Sequence, residues 1–241
     1  MTAGTAATRD DFRPKSHAIN PLLPYKSRML TRSERNRREI FVFPSPRNAR
    51  IVTVAEFLNL TLALQFEFDS SLQCYIERPR RIALSPRQEI DISFWTRNKQ
   101  GEERYYLAIP TSGTIGSTSG TVSIRDRDVL DASAERHGLR LTYITERELI
   151  SSIADCAVRF ELLHHVWSYQ RLVSRSIIQE QILALLTNRP RLTLSSLIQH
   201  LAFDADNVRA VVAGMVHAGS LRLVDYAAGG VQAMVEVCHA N

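Results

Sequence analysis

Apolar and polar positions follow more than one rhythm along this chain, and the changes of rhythm divide it. Residues 1 to about 40 keep no period. They are polar, basic and interrupted by Pro14, Pro21 and Pro24, which reads as an arm with one short helix over TRSERNRREI. FVFPSPRNARIV reads as strand, proline turn and strand. In VAEFLNLTLALQFEFD, Leu58, Leu62 and Phe66 recur at i, i+4 and i+8 with Phe57 and Leu64 beside them, predicting an amphipathic helix. The strand LQCYIERP ends at Pro79. In RQEIDISFW, Ile90, Ile92 and Phe94 alternate with Asp91 and Ser93, and RYYLAIP follows as another strand. TSGTIGSTSGT (111–121) is Thr, Ser and Gly with one Ile, a loop by composition. A helix over roughly 124–137 leads through Gly138 into the strand LRLTYIT, and another helix starts near Glu146. Helix, three strands, helix and strand predict an α/β domain over 41–154, a mixed sheet with flanking helices.

Residues 155–174 read as a helical linker with large side chains, including Trp167 and Tyr169. Residues 175–241 form a separate pattern. SIIQEQILALLTN is a helix that Arg189-Pro190 breaks, and LTLSSLIQHLAF is a second, preceded by a Thr/Ser cap region. DADNVRAVVAGMVHAGSL is a third, capped by Asp204 and ended by Gly219. LRLVDYA, a Gly229-Gly230 turn and VQAMVEV complete a hairpin. Three helices and a hairpin predict an α+β winged helix.

Charge adds a partner class. The net formal charge is +5, concentrated between Arg9 and Arg50. Basic side chains there, Arg35, Arg37, Arg38, Arg47 and Arg50 among them, are candidates for neutralising DNA phosphates without reading sequence; the alternative is a solvated arm. In the third helix of the winged helix, Asn207, Arg209 and His217 are candidates to face DNA, since Asn and Arg read adenine and guanine edges. The helix is otherwise Val- and Ala-rich, which favours docking of a protein over readout of bases. Cys74, Cys156 and Cys238 lie far apart and form no CxxC pair, which fits a reducing cytoplasm and no zinc ribbon. No apolar run approaches a membrane span, and the N-terminus lacks the apolar region of a signal peptide. The adjacent His164 and His165 point about 100° apart on a helix and read as structural. The 111–121 loop lacks the GK[ST] ending of a phosphate-binding loop.

The pieces FPSPRNARIV, AEFLN, FEFD, CYIERP, EIDISF and YYLAIP, in this order, resemble the frame of the TnsA-type endonucleases of heteromeric cut-and-paste transposons. The resemblance covers residues 41–241. It implies a restriction-endonuclease-like PD-(D/E)XK domain followed by a winged helix. It also implies transposon-end DNA, a DDE-type transposase and an AAA+ ATPase regulator as partners, the regulator docking on the winged helix. In such nucleases, carboxylates hold Mg²⁺, which activates water and stabilises the developing charge on phosphorus, and a lysine assists.

The departures fall on those positions. The family's catalytic Glu falls on Asn59. The strand aspartate is kept as Asp91, the weak Mg²⁺ candidate, and the acid and lysine of the third strand fall on Ala108 and Pro110. No lysine follows Lys99. Glu56, one helical turn before Asn59, is the remaining acid that could join Asp91. The expectation is a TnsA-like subunit of a transposition complex that binds DNA and partner proteins and has lost cleavage. The rivals are an active Mg²⁺-dependent endonuclease using Glu56 and Asp91, and a winged-helix DNA-binding regulator.

Overall fold

The computed structural model describes residues 23–116, 122–150 and 153–238. The basic arm before residue 23 therefore lies outside the described residues. So do Ser117–Thr121 of the Gly/Ser loop.

The chain is a mixed α/β protein. A strap over 23–31 leads into helix α1 (Arg32–Arg37), which starts with a complete capping box between Thr31 and Glu34. Strands β1 (Ile40–Ser45) and β2 (Arg50–Ala55) form an antiparallel ribbon around the proline turn. Helix α2 (Phe57–Phe68) follows, then β3 (Leu72–Glu77), β4 (Arg81–Ser85), β5 (Gln88–Asp91), β6 (Phe94–Asn98) and β7 (Glu103–Ile109). Next come a small ribbon of β8 (Thr114–Gly116) and β9 (Val122–Ile124), helix α3 (Arg127–Arg136), β10 (Leu141–Thr145) and α4 (Glu146–Ile150). Among the described residues the main sheet runs β10-β7-β6-β3. It is mixed: β10 lies parallel to β7, and the other pairs are antiparallel. Alternation along the strands gives it two apolar faces. Tyr75, Phe94, Tyr106, Ala108 and Ile144 pack in the α2 core. Cys74, Ile76 and Trp95 face the strap's Leu23 and Tyr25, and Leu107 faces Leu130 of α3.

Three expectations change here. Helix α2 is not amphipathic: Leu60 to Leu64, Phe66 and Glu67 are all buried, because the sheet lies on one side and a long helix on the other. The single strand expected over Asp91 is broken at Ile92–Ser93. Asp91 ends the β4-β5 ribbon, and the Ile92 and Arg78 amides bond to the carbonyls of Arg80 and Ser93. The break lets Ile92 and Phe94 both stay buried while Asp91 turns aside. Part of the expected Gly/Ser loop, Thr114–Gly116, is paired with β9.

Helix α5 (Ile153–Arg171) serves both halves of the chain and is no free linker. Its Cys156 and Leu163 belong to the first core, whereas Leu162 and Val166 pack on Ala213 of the second half. That half contains α6 (Arg175–Asn188), β11 (Leu192–Thr193), α7 (Leu194–His200), α8 (Ala205–His217), β12 (Leu221–Val224), α9 (Tyr226–Gly229) and β13 (Met234–Val237). Three helices and a three-stranded sheet of order β11-β13-β12 enclose one apolar core. A short helix, α9, stands where a simple Gly-Gly turn was expected. Helices α5 and α8 approach so closely that a Cβ on Gly214 would lie 2.4 Å from the Tyr169 ring.

The two halves meet at a buried carboxylate. Glu67, fully enclosed on α2, accepts hydrogen bonds from Ser45 Oγ at 2.5 Å, the Arg47 amide at 2.9 Å and Tyr75 Oη at 2.8 Å. Its fourth partner is His217 Nε2 of α8, at 2.9 Å. The His217 ring also packs edge-on against Phe68, 5.3 Å between centroids. Burial opposes the Glu67 charge, but the donors from His217, Ser45 and Arg47 outweigh it and hold the carboxyl below its usual range. Burial and the neighbouring Glu67 charge push the Tyr75 phenol far up, so it stays a donor.

Glu67→Ala strands these donors and should lower stability by about 3–5 kcal/mol in urea unfolding. A carboxyl held low in the fold stabilises fully above its unfolded value near 4.3, and this is lost as the pH falls below it. The wild-type urea midpoint should therefore drop on acidification below about pH 4, and Glu67→Gln should lose that part of the slope. Equal slopes for the two proteins would contradict the assignment.

Candidate functional site

A cleft of about 430 Å³ opens at one end of the sheet beside the start of α2. Glu56, Asn59, Asp91, Ala108 and Pro110 all line it, although they span more than fifty residues of sequence. Each arrives on a different part of the frame. Glu56 is the residue before α2, Asn59 lies in the helix's first turn, and Asp91 ends β5. Ala108 is in β7, its amide bonded to Ser93 Oγ at 2.9 Å across the strand break, and Pro110 follows the strand. Glu34, Arg38, Glu77, Arg78, Arg81 and Glu89 complete the polar lining.

The acids of this cleft are answered by arginines. Arg28, from the strap, forks onto Asp91: Nε donates to Oδ1 at 2.7 Å and Nη2 donates to Oδ2. The same guanidinium bonds both oxygens of Glu34, at 2.7 and 3.0 Å. Arg81 Nε donates to Asp91 Oδ1 at 3.0 Å. Glu77, almost fully buried, is held by both terminal nitrogens of Arg50, one at 2.9 Å. Glu56 is half-exposed at the rim, 3.5 Å from Arg38. The Arg28 fork holds the Glu34 carboxyl well below the usual range, and Asp91 foremost, then Glu34, raises the Arg28 guanidinium further.

Two cleft residues have left-handed backbones without being glycine, Glu56 at φ +71° and Arg78 at φ +46°. Arg78 is fixed in this shape from both sides. Its amide donates to Ser93, its carbonyl accepts from the Arg28 amide, and its Nε donates to the Arg28 carbonyl at 3.0 Å.

This donor set does not fit a resident Mg²⁺. The Asn59 Nδ2 donates to the Ala55 carbonyl at 2.9 Å, and its buried Oδ1 has no partner. Both Asp91 oxygens carry guanidinium hydrogen bonds, and Ala108 and Pro110 offer no side-chain donor. Glu77 is committed to Arg50. Among the described residues no cluster of three His, Cys, Asp or Glu side chains is arranged to hold a metal.

The other candidate residues divide into exposed and spent. Arg35, Arg37 and Arg38 are exposed on or just after α1, whose Glu34 and Arg38 line the cleft. Arg47 and Arg50 are taken up inside the protein. Arg47 ties the Glu67 and Leu72 carbonyls, and Arg50 neutralises Glu77. Helix α8 is not an open recognition surface: Val208 and Ala210 to Met215 are buried, and His217 is turned inward onto Glu67. The reason is α5, which covers the side that would face outward. Asn207 is half-buried, and Arg209 bonds Asp206 at 2.7 Å, one turn back.

Glu77, Arg28, Arg78 and Arg81 were missed from the sequence. Glu77 sits in the quoted CYIERP piece, so its position in a polar motif was the available signal; nothing in the sequence pairs Arg28 with Asp91. No family profile matches the chain, and no curated protein matches it. Among the described residues no helix is long and apolar enough to cross a membrane.

Arg50→Ala leaves the buried Glu77 without its hydrogen-bonding arginine, with Arg78 at 4.0 Å as the remaining cation, and should cost about 3 kcal/mol in urea unfolding. Arg37→Ala, at an exposed position, should change stability by less than about 0.5 kcal/mol. Equal small effects would return Arg50 to the surface set.

Proposed function

We propose that this chain is a TnsA-like subunit of a DNA transposition complex that binds DNA and partner transposition proteins and does not cut. On this reading the first half is a restriction-endonuclease-like domain and the second a winged helix. The observation that carries it is the convergence of Glu56, Asn59, Asp91, Ala108 and Pro110 on one cleft. A motif string met by chance would scatter these positions, and their meeting in one cleft supports the PD-(D/E)XK reading. The chemistry within the cleft then argues against cutting. Asp91 and Glu77 are already forked by arginines, Glu56 stands at the rim beside Arg38, and Asn59 is a neutral amide, so little free carboxylate charge is left for metal-assisted hydrolysis.

DNA contact rests on the rim. Arg32, Arg35, Arg37 and Arg38 are exposed on and beside α1, so a backbone laid across the cleft mouth meets guanidinium groups without demand for sequence. The buried middle of α8 and its tie to Glu67 favour protein docking by the second half over base reading. The same observation weighs against a free-standing winged-helix regulator. An AAA+ regulator and a DDE-type transposase are the partners this reading implies.

The test is binding and cutting in one series. Full-length protein with transposon-end duplex, its transposition partners and Mg²⁺ or Mn²⁺ should bind with a steep salt dependence and leave the 5′ strand intact. The triple variant Arg35→Ala/Arg37→Ala/Arg38→Ala should lower the salt slope by about 2–3. Nicking that Asp91→Ala abolishes would overturn the non-cutting reading. A salt slope unchanged in the triple variant would overturn the assignment of DNA contact to the rim.

A further inference from the structure

The strap over 23–31 is anchored at two places. At one end Tyr25 packs edge-on against Trp95, 5.4 Å between centroids, and shares a 2.6 Å hydrogen bond with the Tyr105 hydroxyl. At the other, Leu30 is buried beside the cleft, the Arg28 amide donates to the Arg78 carbonyl, and Arg78 Nε donates back to the Arg28 carbonyl. Between these anchors the chain delivers one side chain, Arg28, into the cleft. A single nitrogen, Nη2, touches both Glu34 and Asp91.

We propose that the Arg28 guanidinium is a tethered cation standing in place of a divalent metal at Asp91, and that the strap thereby closes the cleft to metal. The claim rests on reading the cleft as nuclease-type. Charge arithmetic supports it. Across the cleft, Glu34, Glu56, Glu77, Glu89 and Asp91 contribute five negative charges and Arg28, Arg38, Arg50, Arg78 and Arg81 five positive ones, so the lining with its paired arginines is neutral with the strap in place. A divalent cation entering beside the Arg28 and Arg81 guanidinium groups would meet no net attraction. Without Arg28, two carboxylates that already converge on one cation position are left with one arginine, which itself divides its bonds among Asp91, Glu34 and Glu89. Asp91 lies at a ribbon end, where the fork reaches both of its oxygens.

The test uses the full chain, Mn²⁺ as the probe and thermal unfolding as the readout, without DNA. Wild-type protein should show no shift with millimolar Mn²⁺. Arg28→Met should lose about 5 °C and regain about 3 °C in Mn²⁺. Arg28→Met/Asp91→Asn should regain nothing. An Arg28→Met protein that is destabilised yet indifferent to Mn²⁺ would make the contact merely structural and overturn the proposal. So would a wild-type Mn²⁺ shift that Asp91→Asn abolishes. If Arg28→Met does not fold, Arg81→Met, at the exposed rim, removes a cation from the same carboxylate and is read by the same criteria. With no DNA present, this experiment can fail while the DNA-contact reading stands, and the converse holds.

Discussion

Everything in this molecule is arranged around the enclosed carboxylate of Glu67. An ionised carboxyl with no access to water is tolerated only when its lone pairs are filled, and here the donors come from the β1-β2 turn, from β3 and from α8. That requirement fixes three relationships at once. It sets the ribbon against α2, α2 against the sheet, and the second half of the chain against the first. The close α5–α8 contact, where Gly214 leaves room for the Tyr169 ring, adds to the same seam.

Charge pairing continues outward from this node to the cleft. Arg47 binds the carbonyls around Glu67, Arg50 three residues on reaches Glu77, and the cleft acids beyond are matched by Arg28, Arg38 and Arg81. Arginine rather than lysine suits this role, because a planar fork satisfies both oxygens of a carboxylate and does not lose its proton on burial. Pairing of this kind also bears on function. A site that neutralises its own acids has no charge left over to attract a metal, whereas Arg32, Arg35 and Arg37 on the rim stay exposed to a phosphate backbone. The proposed loss of cutting and the proposed retention of DNA contact are thus two sides of one distribution of guanidinium groups.

Much of the frame was legible in the sequence. Periodicity located α2, β3, β7, α3, β10 and the three helices of the second half, because each is long enough for its apolar spacing to register. The short ribbons β4-β5 and β8-β9 were missed or taken for a longer strand and a loop. They are held by backbone bonds and by the break at Ile92–Ser93, which no alternation of side chains reports. The burial of α2 and α8 on several sides was hidden for a different reason: residues such as Thr61, Ala63 and Gly214 look neutral until a second element is laid over them. The quoted motif residues Ser45, Glu67, Tyr75 and Glu77 were read as a frame for catalysis, whereas their contacts are those of a buried polar network. The expected site positions all line one cleft, but what fills it was out of reach, since Arg28 lies 63 residues from Asp91 in the chain.

The most direct test of this account is anomalous diffraction from crystals of the full chain soaked in Mn²⁺. The account predicts no anomalous peak in the cleft, with both Asp91 oxygens on the Arg28 fork and Glu77 on Arg50. A peak coordinated by Asp91 together with Glu77, Glu56 or Asn59, with Arg28 displaced, would contradict it.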